Sequence, residues 1–390
     1  MIWLDIIDPK YVLFFRNLIP KLGLLDEVLI TTRKSKDYDE CAKLLALFGI
    51  EAIHVGGYGG ASLAGKFEAR LNRQKNFLKL FKKIGTPKLF ITGASADGTQ
   101  TAYALGIPIV QFSDTPIKSD SFSIENITLL SRLTLPLSSL IFRPFIVPEV
   151  CYHALGIAKE NIIAYDFIDV ALWLKDLAPG RDFRETYHIP KDKPTILIRE
   201  EEYKAHYVKE KLPIIYESIT QLSAKIQANL VVMPRYDSSG LKKDFGKLKN
   251  VFILEEKLAP NEFYPFIDVL IGGGGTMNLE ACYLGIPTIS TRSLFLFHDR
   301  YLLDNALMSH CKTAWEVCEV VRDILDTLLD TQTKNRGAKI GSQAKIKAGE
   351  KMGTKIEMKN HAKARAKKLF EPKNADFDEI FQTIQARFYA

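Results

Sequence analysis

The stretch DVLIGGGGTMNLEACYLGIPTIS, residues 268 to 290, carries the strongest indication of the fold. A short apolar run is followed by four glycines, a segment of helical character, Leu-Gly-Ile-Pro and a second apolar run. The apolar run predicts a buried parallel strand, the glycines predict a turn into a helix, and Gly285 predicts the helix end. The proline prevents the helix from continuing, so the chain returns as the next strand. The stretch therefore predicts a strand–helix–strand unit.

A second stretch, KLFITGASADGTQTAYALGIPIVQF at residues 88 to 112, repeats this pattern. The distance from Gly93 to Gly106 equals that from Gly272 to Gly285. The repeat predicts an α/β protein with two Rossmann-like, doubly wound domains facing a cleft. The helical pattern over 163–177 and the polar stretch 178–193 are interpreted as the crossing between them. The expected segments are an N-terminal domain (1–165), the crossing (166–193), a C-terminal domain (194–330), a basic flexible segment (331–370) and a closing amphipathic helix (371–390).

The composition excludes several classes of protein. The chain has 390 residues, of which 47% are hydrophobic and 25% charged, which is unlike a disordered chain or a fibre. Its apolar runs are too short to span a bilayer, and Asp5 and Asp8 stand where a signal peptide would be basic. The five cysteines have neither disulfide-framework nor metal-ligand spacing. These features predict a cytoplasmic protein.

The positive charge is concentrated in one segment. Residues 331–370 contain twelve Lys or Arg and two acids, a net of +10 against +7 for the whole chain, so the remainder carries −3. Four scattered glycines predict at most a marginal helix there. One interpretation is a solvated insertion, and the other is a contact with an anionic membrane surface, which would place the protein peripherally at the inner membrane face. Nucleic acid is not favoured, because the segment lacks interleaved aromatic residues.

The glycine loop Gly272–Thr276 is the candidate ligand site. Four glycines between a strand and a helix allow a ligand to approach the backbone, and the helix N-terminus favours a phosphate. The spacing matches neither a Walker A loop nor GxGxxG. Glu280, on the first or second turn of the helix, could accept hydrogen bonds from a ribose diol or complement the helix dipole. A tight turn without a ligand is the alternative interpretation of the glycines.

These residues resemble a known family. GGGGTMNLEA followed by LGIP is similar to the nucleotide-sugar site of GT-B enzymes such as the lipid II glycosyltransferase, and to UDP-N-acetylglucosamine 2-epimerases. The chain up to about residue 330 more closely resembles domain-of-unknown-function family 354, through WLDIIDP (3–9), GGASLAGK (59–66), NITLLSRLTLPL (126–137) and the glycine loop. The resemblance implies that Gly274, Gly275 and Thr276 face a diphosphate and that Glu280 contacts ribose. It implies a uridine nucleotide only by analogy.

The chain departs from the family at one point. The family usually carries His-Val-His after the first proline-containing loop, and this chain has Tyr11-Val12-Leu13. In related transferases a histidine near this loop is the expected base, so the resemblance does not supply a base here.

Three residues are candidates for catalysis. Asp8 and Asp114 each follow a predicted strand, at the sheet edge where doubly wound folds bind ligands. Either carboxylate could deprotonate an acceptor hydroxyl if burial raises its pKa, or could simply form a turn. His206 lies in a polar segment on the same side, although a lone histidine is more often structural.

Arg199 and Arg235 also follow predicted strands, and an arginine there can pair with phosphate. With Gly273, Gly274, Gly275, Thr276 and Glu280 they form the predicted nucleotide-sugar site. The two Asp-x-Asp sequences, at 37–39 and 376–378, occur in charged helical contexts, so no metal site is expected. The nucleotide-sugar is expected as a substrate, without a further cofactor.

Three functions fit this sequence. The leading hypothesis is a glycosyltransferase that binds a nucleotide-sugar donor in its C-terminal domain and a saccharide or lipid-linked acceptor in its N-terminal domain. The second is a sugar-nucleotide 2-epimerase, which moves a sugar proton with paired carboxylates and needs no acceptor. The third is a nucleotide-sugar-binding protein without catalysis, suggested by the missing histidines.

Overall fold

The computed structural model describes residues 1–36, 38–60, 62–201, 213–235, 237–337 and 349–390. These residues form two compact units. Unit 1 consists of Met1–Trp173 and Lys373–Ala390, and unit 2 consists of Leu174–Pro372. Each unit has one sheet, and every strand pairing in both sheets is parallel. The predicted α/β class with two Rossmann-like units is confirmed.

Unit 1 contains a seven-stranded sheet in the order β3-β2-β1-β4-β5-β6-β7. Its strands are β1 (Ile2–Asp5), β2 (Val28–Thr32), β3 (Ile53–His54), β4 (Leu89–Thr92), β5 (Ile109–Phe112), β6 (Leu140–Pro144) and β7 (Ile162–Tyr165). Its helices are α1 (Pro9–Phe15), α2 (Ile19–Leu22), α3 (Glu40–Leu47), α4 (Leu63–Ile84), α5 (Ala96–Ala104), α6 (Leu129–Thr134) and α7 (Val150–His153), with α8 (Ala171–Leu174) at the boundary. The strand order reverses between β1 and β4, which is the topological switch point.

Unit 2 repeats this topology in a six-stranded sheet, in the order β10-β9-β8-β11-β12-β13. Its strands are β8 (Thr195–Arg199), β9 (Asn229–Met233), β10 (Val251–Ile253), β11 (Val269–Gly272), β12 (Thr288–Ser290) and β13 (Ser309–His310). Its helices are α9 (Phe183–Thr186), α10 (Ile214–Lys225), α11 (Ser239–Phe245), α12 (Pro260–Phe263), α13 (Gly275–Tyr283), α14 (Phe297–Asp304), α15 (Ala314–Gly337) and α16 (Gly349–Phe370). Its switch point lies between β8 and β11.

The internal repeat corresponds to equivalent elements of the two units. β4, α5 and β5 form the first copy, and β11, α13 and β12 form the second. Gly106 and Gly285 follow the helices with φ values of 70° and 72°. A side chain is strained in this left-handed region, so glycine ends both helices at the same point.

The C-terminal helix α17 (Asp378–Phe388) belongs to unit 1. Phe377, which precedes it, is 1% exposed, and its ring centroid lies 5.1 Å from that of Phe14 in α1. Ile380 and Ile384 of the helix are also buried. The last residues of the chain therefore complete the core formed by the first.

Two expectations about local structure are corrected. The helix expected over 163–177 is wrong: β7 occupies Ile162–Tyr165 and pairs with β6, and only Ala171–Leu174 is helical. Consecutive isoleucines favour a strand, so the β-branched pair decides this segment. The basic segment 331–370, expected to form at most a marginal helix, begins within α15 and ends with α16, and residues 338–348 lie outside the described residues. Phe370 at the end of α16 is buried against the Tyr283 ring, so packing outweighs weak helix propensity there.

Of the helices in the described ranges, none combines the length and apolar composition needed to cross a bilayer.

Candidate functional site

The glycine loop lies at the switch point of unit 2. It follows β11, between the strand ends of β8 and β12. The Gly273 amide donates to the Arg199 carbonyl at 3.0 Å, and the Thr291 amide donates to the Gly272 carbonyl at 3.1 Å. Open α/β sheets bind ligands at the carboxyl ends of the strands beside such a point. The loop therefore occupies the position at which this topology favours a ligand.

Two of the loop glycines are required by packing within the protein. A Cβ atom on Gly272 would lie 1.8 Å from Oδ1 of Asn278, and one on Gly273 would lie 2.6 Å from the backbone nitrogen of Glu201. Asn278 is fully buried and donates from Nδ2 to the Gly272 carbonyl at 3.3 Å. The packing of the loop within the protein therefore requires glycine at both positions.

Gly274 is different, because nothing lies within 4 Å of the position of its Cβ. It is the N-cap residue of α13, with φ −121° and ψ 139°, and no side chain caps the helix at this end. The first turn of α13 contains no acidic residue, and Thr276 is exposed there. The first turn of α13 therefore has uncapped amides, the positive end of the helix dipole and open space beside Gly274, an arrangement that favours an anion.

The corresponding loop of unit 1 is closed by the protein itself. Ser95 caps α5, its Oγ accepting from the Gly98 amide at 3.0 Å. A Cβ on Gly93 would lie 2.1 Å from the Tyr11 ring, so this ring covers the loop. The same backbone pattern is thus capped and covered in unit 1, whereas it is open in unit 2.

Arg292 is a site residue that the sequence analysis missed. It follows β12, and its Nη1 lies 2.9 Å from the position of a Cβ on Gly275. Asp299 holds the guanidinium, with Nη1 2.9 Å from Oδ2, and also accepts from the Leu296 amide at 2.9 Å. An arginine fixed against the first turn of α13 can pair with a phosphate there. The sequence signal for Arg292 was its position just after β12, the strand next to β11.

Glu280 is buried in the second turn of α13, with 6% exposure. Its Oε2 accepts from the Tyr264 hydroxyl at 2.6 Å. Burial, and then the nearby Glu280 carboxylate, raise the pKa of Tyr264 well above its ordinary value, so the hydroxyl remains a donor. Glu280 therefore has a partner within the protein, Tyr264. Its expected contact with ribose remains a prediction.

Arg199 and Arg235 lie at the ends of β8 and β9 but differ in their environments. Arg199 donates from Nη1 to the backbone carbonyls of Met233 and Pro234. Arg235 has an exposed side chain, and its backbone amide donates to Glu200 Oε2 at 2.9 Å. Both reach the strand ends as expected, and their contacts with phosphate remain predictions.

Asp8 of unit 1 lies at the end of β1 and caps α1, accepting from the Lys10 amide at 2.9 Å. Its pKa is raised from the ordinary value, chiefly because the surrounding protein desolvates the carboxylate and despite the opposing hydrogen bond from Lys10. The residue is nevertheless accessible to solvent. Asp8 therefore combines accessibility with an enhanced tendency to hold a proton.

Asp114 follows β5 and takes part in a network that the sequence did not indicate. Lys10 pairs with Asp114 and, at 2.5 Å, with Asp169 Oδ2. The Tyr165 hydroxyl donates to Asp169 Oδ1 at 2.7 Å. The pKa of Lys10 is raised because the two carboxylates outweigh the effect of burial. Protonation of Asp114 would break its ion pair with Lys10. Asp114 is therefore a weaker candidate for the base than Asp8.

Tyr11, which stands in place of a family histidine, is buried in this region. Its hydroxyl donates to the Phe112 carbonyl at 3.3 Å and lies 3.5 Å from Asp114 Oδ1. Burial, followed by the nearby carboxylates, raises its pKa well above the ordinary value. Tyr11 is therefore a proton donor in a hydrogen-bond network at neutral pH and no substitute for a histidine base.

A second buried charge network lies at the end of β1. Arg73 is fully buried on α4 and pairs with both oxygens of Asp5, at 2.8 and 2.6 Å. Its Nε donates to the Val55 carbonyl at 2.8 Å. In the sequence, the signal for a buried arginine was the helical spacing of Arg73 from Phe77 and Phe81. Because both charges are enclosed, we interpret the pair as structural.

His206 lies outside the described residues. Within the described ranges, no group of three or more His, Cys, Asp or Glu side chains is arranged to hold a metal ion.

Comparisons with known proteins agree with this architecture. The S. aureus MnaA–UDP co-structure has a TM-score of 0.66 at 14% identity, covering 83% of this chain and 88% of that one. A Methanocaldococcus jannaschii UDP-GlcNAc 2-epimerase, solved with UDP-GlcNAc and UDP, has a TM-score of 0.62 at 14% identity, covering 83% and 92%. The spinosyn forosaminyltransferase SpnP has a TM-score of 0.59 at 14% identity, covering 99% of both chains. These likenesses show the fold, which is of the GT-B type.

Sequence comparison is more specific about the family. An uncharacterised protein of Methanocaldococcus jannaschii is 27% identical over 333 residues, which cover 83% of this chain and 91% of that protein. A family model described as a protein of unknown function, DUF354, matches residues 1–346. The chain therefore belongs to the DUF354 family.

Proposed function

We propose that the protein is a glycosyltransferase that uses a nucleotide-sugar donor, with the donor diphosphate bound at Gly273–Thr276. The open first turn of α13 beside Arg292 carries the proposal, because it offers backbone amides, a helix dipole and a fixed guanidinium to one anion. Several solved proteins with this fold are named for UDP or UDP-sugars, which supports uridine as the base.

Transfer needs a group that stabilises the departing diphosphate. Arg292 and the N-terminus of α13 would supply positive potential at this point. We therefore propose a transfer that does not depend on a metal ion, and we expect Arg199 and Arg235 to add to the binding of the nucleotide-sugar. Glu280 would hold the ribose hydroxyls, keeping its second oxygen on Tyr264.

The acceptor is assigned to unit 1. Asp8 would act as the base that removes the proton of an acceptor hydroxyl, because it is accessible and its pKa is raised above the ordinary aspartate value. The proton of the hydroxyl passes to the carboxylate, and the oxygen replaces the diphosphate on the sugar. Asp114 would position the acceptor through the Lys10 network.

A more specific part of the proposal concerns the location of the acceptor. We propose a glycan or lipid-linked acceptor at an anionic membrane surface, with segment 331–370 providing attraction through its net charge of +10. Co-sedimentation with vesicles of phosphatidylcholine alone and with added phosphatidylglycerol tests this part. Equal sedimentation with both compositions would contradict it.

The central experiment is transfer of radiolabelled sugar from UDP-sugars to saccharide and lipid extracts by the full chain. Product should form equally with and without EDTA and should depend on Asp8. Asp182→Asn is the matched control, because Asp182 also caps a short helix by accepting an amide two residues ahead, at 2.9 Å. UDP-sugar binding without transfer under any condition would contradict the transferase assignment and would leave the epimerase and the binding protein as candidates.

A 2-epimerase is the second candidate, and the carboxylate network of unit 1 favours it. Asp114 and Asp169 share Lys10, and Asp8 lies close enough for Asp114 to influence its pKa. Such a set of carboxylates suits removal and return of a sugar proton. Incubation with UDP-GlcNAc in deuterated water separates the two reactions: deuterium at C2 indicates epimerisation, whereas transfer leaves C2 unexchanged.

A further inference from the structure

A cationic aromatic cluster lies in unit 1, at the carboxyl ends of β2 and β3. We call Arg33, Tyr38 and Tyr58 the Arg33 cluster. The guanidinium carbon of Arg33 lies 4.6 Å from the ring centroid of Tyr38 and 5.5 Å from that of Tyr58. The two rings are stacked, with centroids 5.4 Å apart and an interplanar angle of 25°. The cluster therefore presents a charged group and flat aromatic surface together.

Hydrogen bonds hold the Tyr38 side chain and the Tyr58 backbone in place. The Tyr38 hydroxyl donates to the Ile7 carbonyl at 2.7 Å, which ties it to the end of β1. The Tyr58 amide donates to Ser35 Oγ at 3.3 Å. Gly57 also packs against Ser35, because a Cβ on Gly57 would lie 3.1 Å from the Cβ of that serine. Gly57 and Ser35 thus hold Tyr58 beside Tyr38, and Tyr58 remains 39% exposed.

Polar atoms at the base of the cluster are not used by the protein. Within the described residues, Arg33 Nε and Thr32 Oγ1 are buried and have no hydrogen-bond partner. Leaving a buried donor unsatisfied is costly, and a bound group that partners it is one explanation for such an atom. By contrast, the buried Arg73 uses its Nε for the Val55 carbonyl.

The cluster also lies beside the candidate base. The Arg33 charge acts on Asp8, the residue after Ile7. A molecule seated on Tyr58 with its anionic group on Arg33 would therefore extend towards the Asp8 carboxylate. The anion would be bound through charge-assisted hydrogen bonds, and a sugar ring would cover the aromatic face.

We propose that the Arg33 cluster binds a saccharide that carries a phosphate group, as the acceptor of the transferase. The role as acceptor site rests on the proposed function, but the binding does not. A free sugar phosphate and a lipid-linked sugar phosphate share this chemistry. Titration with N-acetylglucosamine 1-phosphate in solution, and with the same head group on a lipid in neutral vesicles, separates the two sources.

The experiment measures binding of N-acetylglucosamine 1-phosphate to the full chain by calorimetry. Arg33→Gln should weaken binding about tenfold or more, because it removes a charge-assisted contact. Tyr58→Ala should weaken binding to a smaller extent. Arg16→Gln is the matched control, because Arg16 also stacks on an aromatic ring, 4.6 Å from the centroid of Phe48, outside the cluster. It should bind as the wild type does.

Four results would overturn the proposal: no binding of the sugar phosphate to the wild type, unchanged binding in Arg33→Gln, equal binding of N-acetylglucosamine without phosphate, or displacement of the sugar phosphate by UDP. The last would place the phosphate at the glycine loop of unit 2. UDP binding measured on the same variants separates the two assignments. If UDP binds normally while sugar phosphate does not bind to the wild type, the cluster proposal fails and the donor site stands.

Discussion

Replacing Gly274 by serine separates a structural role of the glycine loop from a ligand-binding role. Gly274 has extended φ and ψ angles and open space around it, so a serine fits there. Serine is a better N-cap than glycine by a few tenths of a kcal/mol, and loss of glycine flexibility in the unfolded chain adds about 0.4–1 kcal/mol. The variant should therefore be more stable than the wild type without ligand.

The same substitution should weaken the binding of UDP. The serine Oγ would accept from an amide of the first turn, as Ser95 does in unit 1, and would occupy the amide that a phosphate needs. At about a hundred times Kd, UDP should stabilise the wild type by about 2.7 kcal/mol. A tenfold loss of affinity reduces this to about 1.4 kcal/mol at the same concentration. Thermal unfolding with and without UDP measures both effects.

Gly240→Ala provides the control, because Gly240 in α11 also has nothing within 4 Å of its Cβ position. It should change stability without changing the stabilisation by UDP. If UDP stabilises Gly274→Ser as strongly as the wild type, no phosphate binds at this turn and the donor site is wrongly assigned.

The contacts of Asp8, Arg73 and Glu280 support four further predictions. Asp8→Asn should keep the helix cap, because asparagine caps as well as aspartate, but should lower product formation by about 10²–10⁴-fold. In the wild type, activity should fall as pH decreases through a midpoint above the ordinary aspartate value, because desolvation by the surrounding protein raises the pKa of Asp8 and the base must be unprotonated. Arg73→Met should lower the free energy of unfolding in urea by about 3–5 kcal/mol, since it leaves the buried Asp5 carboxylate unpaired. Glu280→Gln should weaken UDP binding in calorimetry while keeping the hydrogen bond from Tyr264, and Tyr264→Phe should bind UDP normally.

The predictions for the substitutions each have a contradicting result. Full activity of Asp8→Asn would assign the base elsewhere. Unchanged unfolding of Arg73→Met would mean that Asp5 is neutralised by other groups. Equal loss of UDP binding in both Glu280→Gln and Tyr264→Phe would show that their hydrogen bond shapes the helix and that ribose does not contact Glu280.

The sequence predicted the fold well in the two segments that share the same residue pattern. The two Leu-Gly-Ile-Pro segments correctly indicated a helix ended by glycine and followed by a strand in each unit, because φ near +70° excludes most other residues at Gly106 and Gly285. Short edge strands were harder to predict. β7 was interpreted as helix and β13 was missed, since β13 has only two residues, Ser309–His310, and no local pattern identifies it.

The candidate site was only partly predictable for a physical reason. Four successive glycines are rare enough to indicate the loop, whereas one arginine among 53 basic residues indicates nothing alone. Asp299 and the preceding strand β12 position Arg292. The two carboxylates that pair with Lys10 belong to parts of the chain that are distant in sequence. Such contacts depend on the sheet order, which the sequence pattern does not contain.

The return of α17 to unit 1 has a consequence for how the protein is made. Phe14 is synthesised before unit 2, but Phe377, which packs against it, is synthesised only after unit 2. At about 5–20 residues per second, unit 1 must wait tens of seconds with an aromatic surface uncovered, while all of unit 2 is translated. A chain truncated before Phe377 should therefore keep this aromatic surface exposed and should be degraded.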